Sequence, residues 1–381
     1  MKPLSLYLHI PFCAKKCRYC DFYSVPYDAS LAENYLIALS KEIDLYNKEY
    51  RLDGSSQIQT VFIGGGTPTV LSTAELRKLC ALLRSSFSIA PDCEWTVECN
   101  PESFTKDKAL VFLEAGVTRL TFGFQSLDDR ELSFLGRIHT ADRCRQVLED
   151  PLLAKFSSIG VDLMYGLPGQ AADSPDKSLA PVLDSPYVKH ISAYELTIAD
   201  RTPFGRRRSM LPLPSEETMS SMTGRLWDLL AAQGFTQYEV SNFAKAGHEC
   251  RHNKAYWNHE PYLGLGCAAH SFLPPERSAN VRDVNRYSAL VNDGRLPREF
   301  TETIDAEKLG MEMVFLGLRR VQGINEVVFK EKCGIKFDKF IKKEKIEHFV
   351  GRGLLSYEKP FWKPTRKGLL MADAIAREII P

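Results

Sequence analysis

From residue 1 to about 200 the chain alternates β-rich apolar runs with helical segments, and this alternation leaves few folds open. The runs are SLYLHI (5–10), TVFIGG (60–65), EWTVEC (94–99), VTRLTFGF (117–124), SSIGVDLMYGL (157–167) and VKHISAYEL (188–196). Between them the pattern predicts helices over 30–50, 73–87, 105–115, 128–149 and 175–184. Strands that are almost continuously apolar, each followed by a helix, belong to a parallel sheet covered on its faces. The expectation is an α/β fold: a barrel, or an incomplete barrel open on one side. Polar and glycine-rich motifs fall at the C-terminal ends of the strands, where parallel α/β folds bind ligands.

With 381 residues, two or three domains are expected. We read 1–200 as the barrel core, 201–300 as an extension of it, and 301–381 as a separate C-terminal module. Residues 201–215 are rich in proline and carry a run of three arginines, which reads as an excursion loop. A helix is expected at 216–233 and a strand at 235–241, while 244–285 has no clear period. The segment IDAEKLGMEMVFLGLRR has the spacing of an amphipathic helix. Helix, hairpin and helix then follow, as in a winged-helix-like α+β module.

Charge narrows the function. Lysine and arginine number 49 against 48 aspartates and glutamates, a net charge of +1, which argues against a strongly basic nucleic-acid protein. KFIKKEK is basic, but no arginine and lysine stripe marks a recognition helix, so no nucleic-acid partner is expected. No apolar run is long enough to span a bilayer, and MKPLSLYLHIPFC does not read as a signal peptide. A cytoplasmic protein with reduced thiols is expected.

There are ten cysteines, and three of them lie between positions 13 and 20. Cys13-Ala-Lys-Lys-Cys17-Arg-Tyr-Cys20 is a C-x3-C-x2-C cluster just after a strand. Three thiolates on one loop suit a soft metal centre. A zinc site normally takes four ligands, and no second C-x2-C pair follows; zinc with a distant fourth ligand stays open. On a cubane iron–sulfur cluster, three protein ligands leave one iron free to chelate an amino and a carboxylate group.

LYLHIPFCAKKCRYCDFYS resembles the cluster loop of the radical S-adenosylmethionine superfamily, and more narrowly its oxygen-independent coproporphyrinogen III oxidase branch. That resemblance implies a partial (β/α)6 TIM-like barrel. It also implies a [4Fe-4S] cluster on Cys13, Cys17 and Cys20, with S-adenosylmethionine at the open iron. A reduced donor such as flavodoxin or ferredoxin would supply the electron that cleaves the sulfonium. The segment Gly64-Gly65-Gly66-Thr67-Pro68-Thr69 lacks the lysine of a phosphate-binding loop. In the family, the matching segment contacts the amino end of S-adenosylmethionine, which brings in Gly65, Gly66 and Thr67. Glu98, Gln125, Arg137 and Asp162 match family positions in or near the same site. A carboxylate there can accept from ribose hydroxyls and an arginine can hold a carboxylate. Tyr7 and Tyr19 are candidate adenine or methionine contacts, with core packing as the alternative.

Within the branch, the oxidases carry a further cysteine two residues after the third cluster cysteine, where this chain has Phe22. They also carry an extension ahead of the cluster, whereas twelve residues precede Cys13 here. Cys250-Arg-His252-Asn253-Lys-Ala-Tyr256-Trp257, followed by YLGLGCAAHSF, resembles the signature segment of the HemW-like haem chaperones. That family implies bound haem, passed to an acceptor haemoprotein such as a respiratory enzyme at the membrane. Imidazole and thiolate are both axial haem ligands, so His252 is the first ligand candidate, then Cys250 and His270. Tyr256 and Trp257 are candidate porphyrin contacts. Radical decarboxylation of coproporphyrinogen III is the alternative activity, and whether the chain is an enzyme stays open at this stage; no catalytic residue is assigned.

Overall fold

Strand β1 (Leu4–Ile10) is buried along both faces, as a strand covered by helices must be. Five more strands of the same kind follow in chain order: β2 (Gln57–Gly65), β3 (Ser88–Cys99), β4 (Arg119–Gln125), β5 (Ser158–Tyr165) and β6 (Val188–Glu195). All six pair parallel with their chain neighbours. The structure is a computed structural model and describes residues 4–50 and 57–381.

The crossovers are α1 (Ala29–Tyr50), α2 (Thr73–Ser86), α3 (Lys106–Ala115), the pair α4 (Asp129–Leu135) and α5 (Ala141–Leu148), and α6 (Ser174–Asp184). The starts of α2–α5 are set by side chains that satisfy the free N–H groups of a first turn. Ser72 and Glu75 form a reciprocal capping box on α2, and Thr105, Asp128 and Thr140 cap α3, α4 and α5. The single helix expected over 128–149 is two helices. Gly136, at φ +81°, ends α4 in the left-handed region, and Thr140 starts the next turn.

The six strands sit within one sheet of twelve that does not close among the described residues. Beside β1 lies β7 (Tyr262–Leu265), also parallel, and then an antiparallel run of β8 (His270–Leu273), β9 (Glu276–Asn280) and β10 (Arg298–Thr303). Beyond β6 are the short strands Asn242–Ala244 and Thr236–Gln237. The architecture is therefore an open, TIM-like (β/α)6 barrel. The strand expected over 235–241 shrinks to two residues, because Gly234 (φ +72°) opens it and the chain turns back onto β6 at 242.

Helix α7 (Glu216–Ala232) packs on the barrel, and the stretch without period becomes α8 (Arg251–Trp257), β7–β9 and α9 (Val284–Asn292). Buried side chains from these elements, such as Leu263, Leu265 and Tyr287, join the barrel's own core. From α10 (Ala306–Leu318) onward a second core forms around Phe329, Phe337 and Ile375. Short helices and a three-stranded sheet, with a hairpin over 355–364, give the expected winged-helix-like α+β arrangement.

Candidate functional site

The C-terminal ends of β1–β6 converge on the cysteine loop. Phe12–Cys13 pairs with Val25–Pro26, and Tyr27 N–H donates to the Cys13 carbonyl at 3.0 Å, so the loop between them is clasped at its base. Cys13, Cys17 and Cys20 are free and partly exposed. Burial holds the thiols of Cys13 and Cys20 above their ordinary range, Cys20 at about 11. A bound metal would ionise them. Among the described residues no three His, Cys, Asp or Glu side chains converge to hold a single metal ion. A cubane cluster takes one thiolate per iron, so its ligands are spread around it.

Two side chains touch the cysteines. Thr67 Oγ1 donates to Cys13 Sγ at 3.6 Å, and Arg137 Nη1 donates to Cys17 Sγ at 3.5 Å. Arg137 Nη2 is tied to Asn100 Oδ1 (2.6 Å) and the Gly123 carbonyl (2.7 Å), while its Nε is buried without a partner. Asn100 Nδ2 also donates to Thr67 Oγ1 at 2.9 Å. Asn100 thus links the glycine loop to the arginine. Sequence reasoning passed over it, although it stands in the ECNPES segment beside Glu98.

The glycines serve packing as well as approach. A Cβ on Gly64 would sit 2.7 Å from Glu98 Oε2, one on Gly65 2.5 Å from His9, and one on Gly66 2.6 Å from the Phe12 carbonyl. Gly65 also lies at φ +108°. Its N–H donates to Glu98 Oε2 at 3.1 Å. Burial, with the nearby Asp162 second, raises the Glu98 carboxyl to about 8; burial raises Asp162 to about 6, against a hydrogen bond from Ser192. Gln125 closes β4 in the left-handed region at φ +69°, next to an irregularity in the β4–β5 register. Strain of this kind in a non-glycine residue concentrates at ligand sites. Tyr194 on β6, absent from the sequence reading, donates its hydroxyl to Gln125 Oε1. Tyr19 packs beside Leu135 and Met164 in a small core behind the loop.

A cavity of about 1160 Å³ opens from this site. Tyr7, Gly65 and Glu98 belong to its wall, so it is continuous with the strand-end groups. The cysteine loop contributes Phe22 and Tyr23, the antiparallel strands His270 and Phe272, and α10 Phe315. Arg277 grips Glu312 with two hydrogen bonds of 2.5 Å, and Glu312 also binds His259 Nε2 at 2.5 Å. Glu312, partly buried itself, is held down at about 2 by Arg277 and His259 against the effect of burial.

The H-N-x-x-Y-W segment forms α8 against this cavity. Glu94 receives the N–H groups of Arg251 and His252, both at 3.0 Å, and the Cys250 thiol at 3.5 Å. Asn253 and Tyr256 face the cavity, whereas His252 and Cys250 do not line it. His252 lies one layer behind: Nδ1 bonds Thr60 Oγ1 and Nε2 bonds the Tyr256 hydroxyl, both at 2.8 Å, and the ring stacks on Phe62. Burial lowers its pKa to about 3 and keeps the ring neutral. Both nitrogens are thus engaged. Burial, with Glu94 second, pushes the Cys250 thiol up to about 12. The His270 ring meets the cavity directly.

An open barrel with three thiols after its first strand, a glycine loop after its second and carboxylates at later strand ends defines a radical S-adenosylmethionine protein. The Radical SAM superfamily model matches residues 7–180, and the HemN C-terminal domain model matches 304–371. The chain is 34% identical to the heme chaperone HemW of Bacillus subtilis, over 97% of each chain. It is 31% identical to that of Escherichia coli, over 98% of this chain and 97% of the relative. In fold it resembles the E. coli coproporphyrinogen III oxidase HemN, with TM-score 0.86 and 22% identity over 99% of this chain and 89% of that one. The chain belongs to the HemW family of the radical SAM superfamily.

The residues present fit the superfamily's cofactors. Three free thiols share one clasped loop, the Arg137 Nε is an orphaned donor facing no protein acceptor, and carboxylates wait at the strand ends. Cys13, Cys17 and Cys20 would hold a [4Fe-4S] cluster. The glycine loop, Glu98, Gln125, Arg137 and Asp162 would surround S-adenosylmethionine. Among the described residues no helix is long and apolar enough to cross a membrane.

Proposed function

We propose that this chain binds haem in the large cavity and passes it to acceptor haemoproteins. The observation that carries the reading is the cavity itself. It is apolar over most of its wall, exceeds the roughly 300–1,000 Å³ of ordinary ligand pockets, and has the H-N-x-x-Y-W helix in its side. Phe272, Phe315 and Tyr256 offer faces for a macrocycle, and Arg282 stands in the wall for a carboxylate. The relatives named as haem chaperones match over nearly their full length.

The cluster with bound S-adenosylmethionine supplies one-electron chemistry when loaded. This chain's part is orientation and exclusion: Thr67 and Arg137 direct N–H and O–H groups at the thiols, and Glu98 fixes the glycine loop. Two imidazoles compete for the iron of haem. The motif names His252, which lies behind Tyr256 and would have to give up its bond to that hydroxyl to ligate. The geometry names His270, whose ring is already there. Free thiols throughout the chain fit a reducing, cytoplasmic setting.

The test is anaerobic reconstitution of the cluster, followed by S-adenosylmethionine and either haem or coproporphyrinogen III. Stable haem uptake is expected, weakened by His252→Ala or His270→Ala according to which ring ligates. Formation of protoporphyrinogen at a catalytic rate would overturn the chaperone reading in favour of the oxidase.

A further inference from the structure

The run of three arginines at 206–208 has no part in either site described so far. It lies on a short 3-10 segment, Gly205–Met210, kinked at Arg207, beside the cysteine loop. Phe204 N–H donates to the Arg18 carbonyl at 3.1 Å, and the Phe204 ring packs on Phe134. Arg201 grips Asp21, and Arg18 Nη1 donates to the Phe134 carbonyl at 3.0 Å. Two segments far apart in the chain are thus fastened into one surface. Gly205 is required there, since a Cβ would stand 2.2 Å from the Ala199 carbonyl.

The surface is strongly cationic. Lys15, Lys16, Arg18, Arg206, Arg207 and Arg208 are all exposed. The guanidinium groups of Arg206, Arg207 and Arg208 enter no ion pair or hydrogen bond among the described residues. Over 13–21 and 199–210, seven cations meet two carboxylates, Asp21 and Asp200, giving +5 where the whole chain nets +1. Met210, 78% exposed, adds an apolar contact beside the arginines. Cys13, Cys17 and Cys20 are partly exposed within this surface, so whatever docks here stands at the edge of the cluster.

We infer that this patch is the docking surface for a small acidic electron-carrier protein. The inference rests on the reading of the chain as a cluster-bearing radical SAM protein. Such a cluster must receive one electron: the carrier is oxidised by one electron and the cluster reduced by one. A concentrated positive field around the electron's entry point raises the encounter rate of an acidic partner and selects its orientation. An apolar contact ringed by charges suits a complex that forms and parts quickly.

The test uses the full chain with its cluster and flavodoxin as the acidic probe. Binding is followed by flavin fluorescence at several salt concentrations. The variant carrying Arg206→Glu, Arg207→Glu and Arg208→Glu is expected to bind at least tenfold more weakly at low salt, with a flatter salt dependence. The matching Arg→Gln variant is expected to fall between. Reversal of Lys339, Lys342 and Lys343 in the other basic run should leave binding unchanged. Iron content and reduction of the cluster by dithionite should be the same in all variants, while reduction by the carrier slows with the arginine reversals. Undiminished carrier binding by the arginine variants would overturn the inference. So would loss of binding to phosphatidylglycerol vesicles alone, which would make the patch a membrane contact. If wild-type chain assembles no cluster, the underlying radical SAM reading fails instead, and iron analysis tells the two failures apart.

Discussion

The cofactor half of the molecule and its cavity are built on opposite plans. Around the cysteine loop the functional groups sit on successive strands or just past them, so Cys13, Thr67, Glu98, Gln125 and Asp162 recur at the pace of the βα units. They are polar and cross-linked, Asn100 to Arg137 and Gly65 to Glu98. The cavity beside them is apolar over most of its wall and draws on segments far apart in the chain, from Tyr7 through His270 to Ile380. The difference teaches that chemistry can be written into a repeated local unit, whereas an enclosed volume exists only after distant elements have met.

If the halves are separable, damage to one should spare the other. The largest effect is expected from Cys17→Ser: loss of most iron and of the brown absorbance, with haem uptake retained. Haem uptake lost in parallel would break the comparison. Arg137→Ala should come next, because it leaves Asn100 Oδ1 and the Gly123 carbonyl without this donor. Two partly buried acceptors lose their donor at a cost of about 1–3 kcal/mol, read from denaturant unfolding, and S-adenosylmethionine affinity should fall with it. On the cavity side, Tyr256→Phe removes the hydroxyl that holds His252 Nε2. A stability loss of about 1–2 kcal/mol is expected. If His252 is the ligand, haem affinity should rise in this variant; if His270 is, it should not.

The last effect, confined to stability, concerns Glu42, which fastens the cavity's outer wall to α1. Its carboxylate accepts from Gly266 N–H, Asn280 Nδ2 and the Tyr287 hydroxyl, with Tyr35 and Cys267 packed nearby. Burial raises it to about 7 despite those three donors. A carboxyl raised in the folded state stabilises most below its unfolded pKa, and that contribution decays as pH rises through about 7. Glu42→Gln, which keeps the neutral shape, should therefore flatten the decline in unfolding midpoint between pH 4.5 and 7, by on the order of 1–3 kcal/mol. Cofactor binding should not respond.

The barrel was legible because six doubly covered strands leave an almost unbroken apolar record. The cysteine cluster was legible because its three thiols share one loop. The break at Gly136 was not, since a single glycine within a polar helical stretch is tolerated until its neighbours force a positive φ. Residues 244–285 hid a helix and three strands because their partners are β1 and each other, and short segments held by tertiary contact carry little period. The motif pointed to His252, yet sequence could not reveal that Thr60 and Tyr256 occupy both of its nitrogens. Asn100 escaped notice because an asparagine after a strand resembles an ordinary cap until Arg137 and Thr67 are seen to meet it.

The scattered origin of the cavity wall has a meaning in time. A ribosome releases residues 1–200 first, and with them the clasped loop, the glycine turn and every strand-end group around it. The cavity waits for α10 and for Ile380, at the far end of the described chain. The thiol loop and the groups around it thus leave the ribosome well before the last residues of the chamber wall, yet the barrel core itself is complete only when Leu263, Leu265 and Tyr287 have joined it.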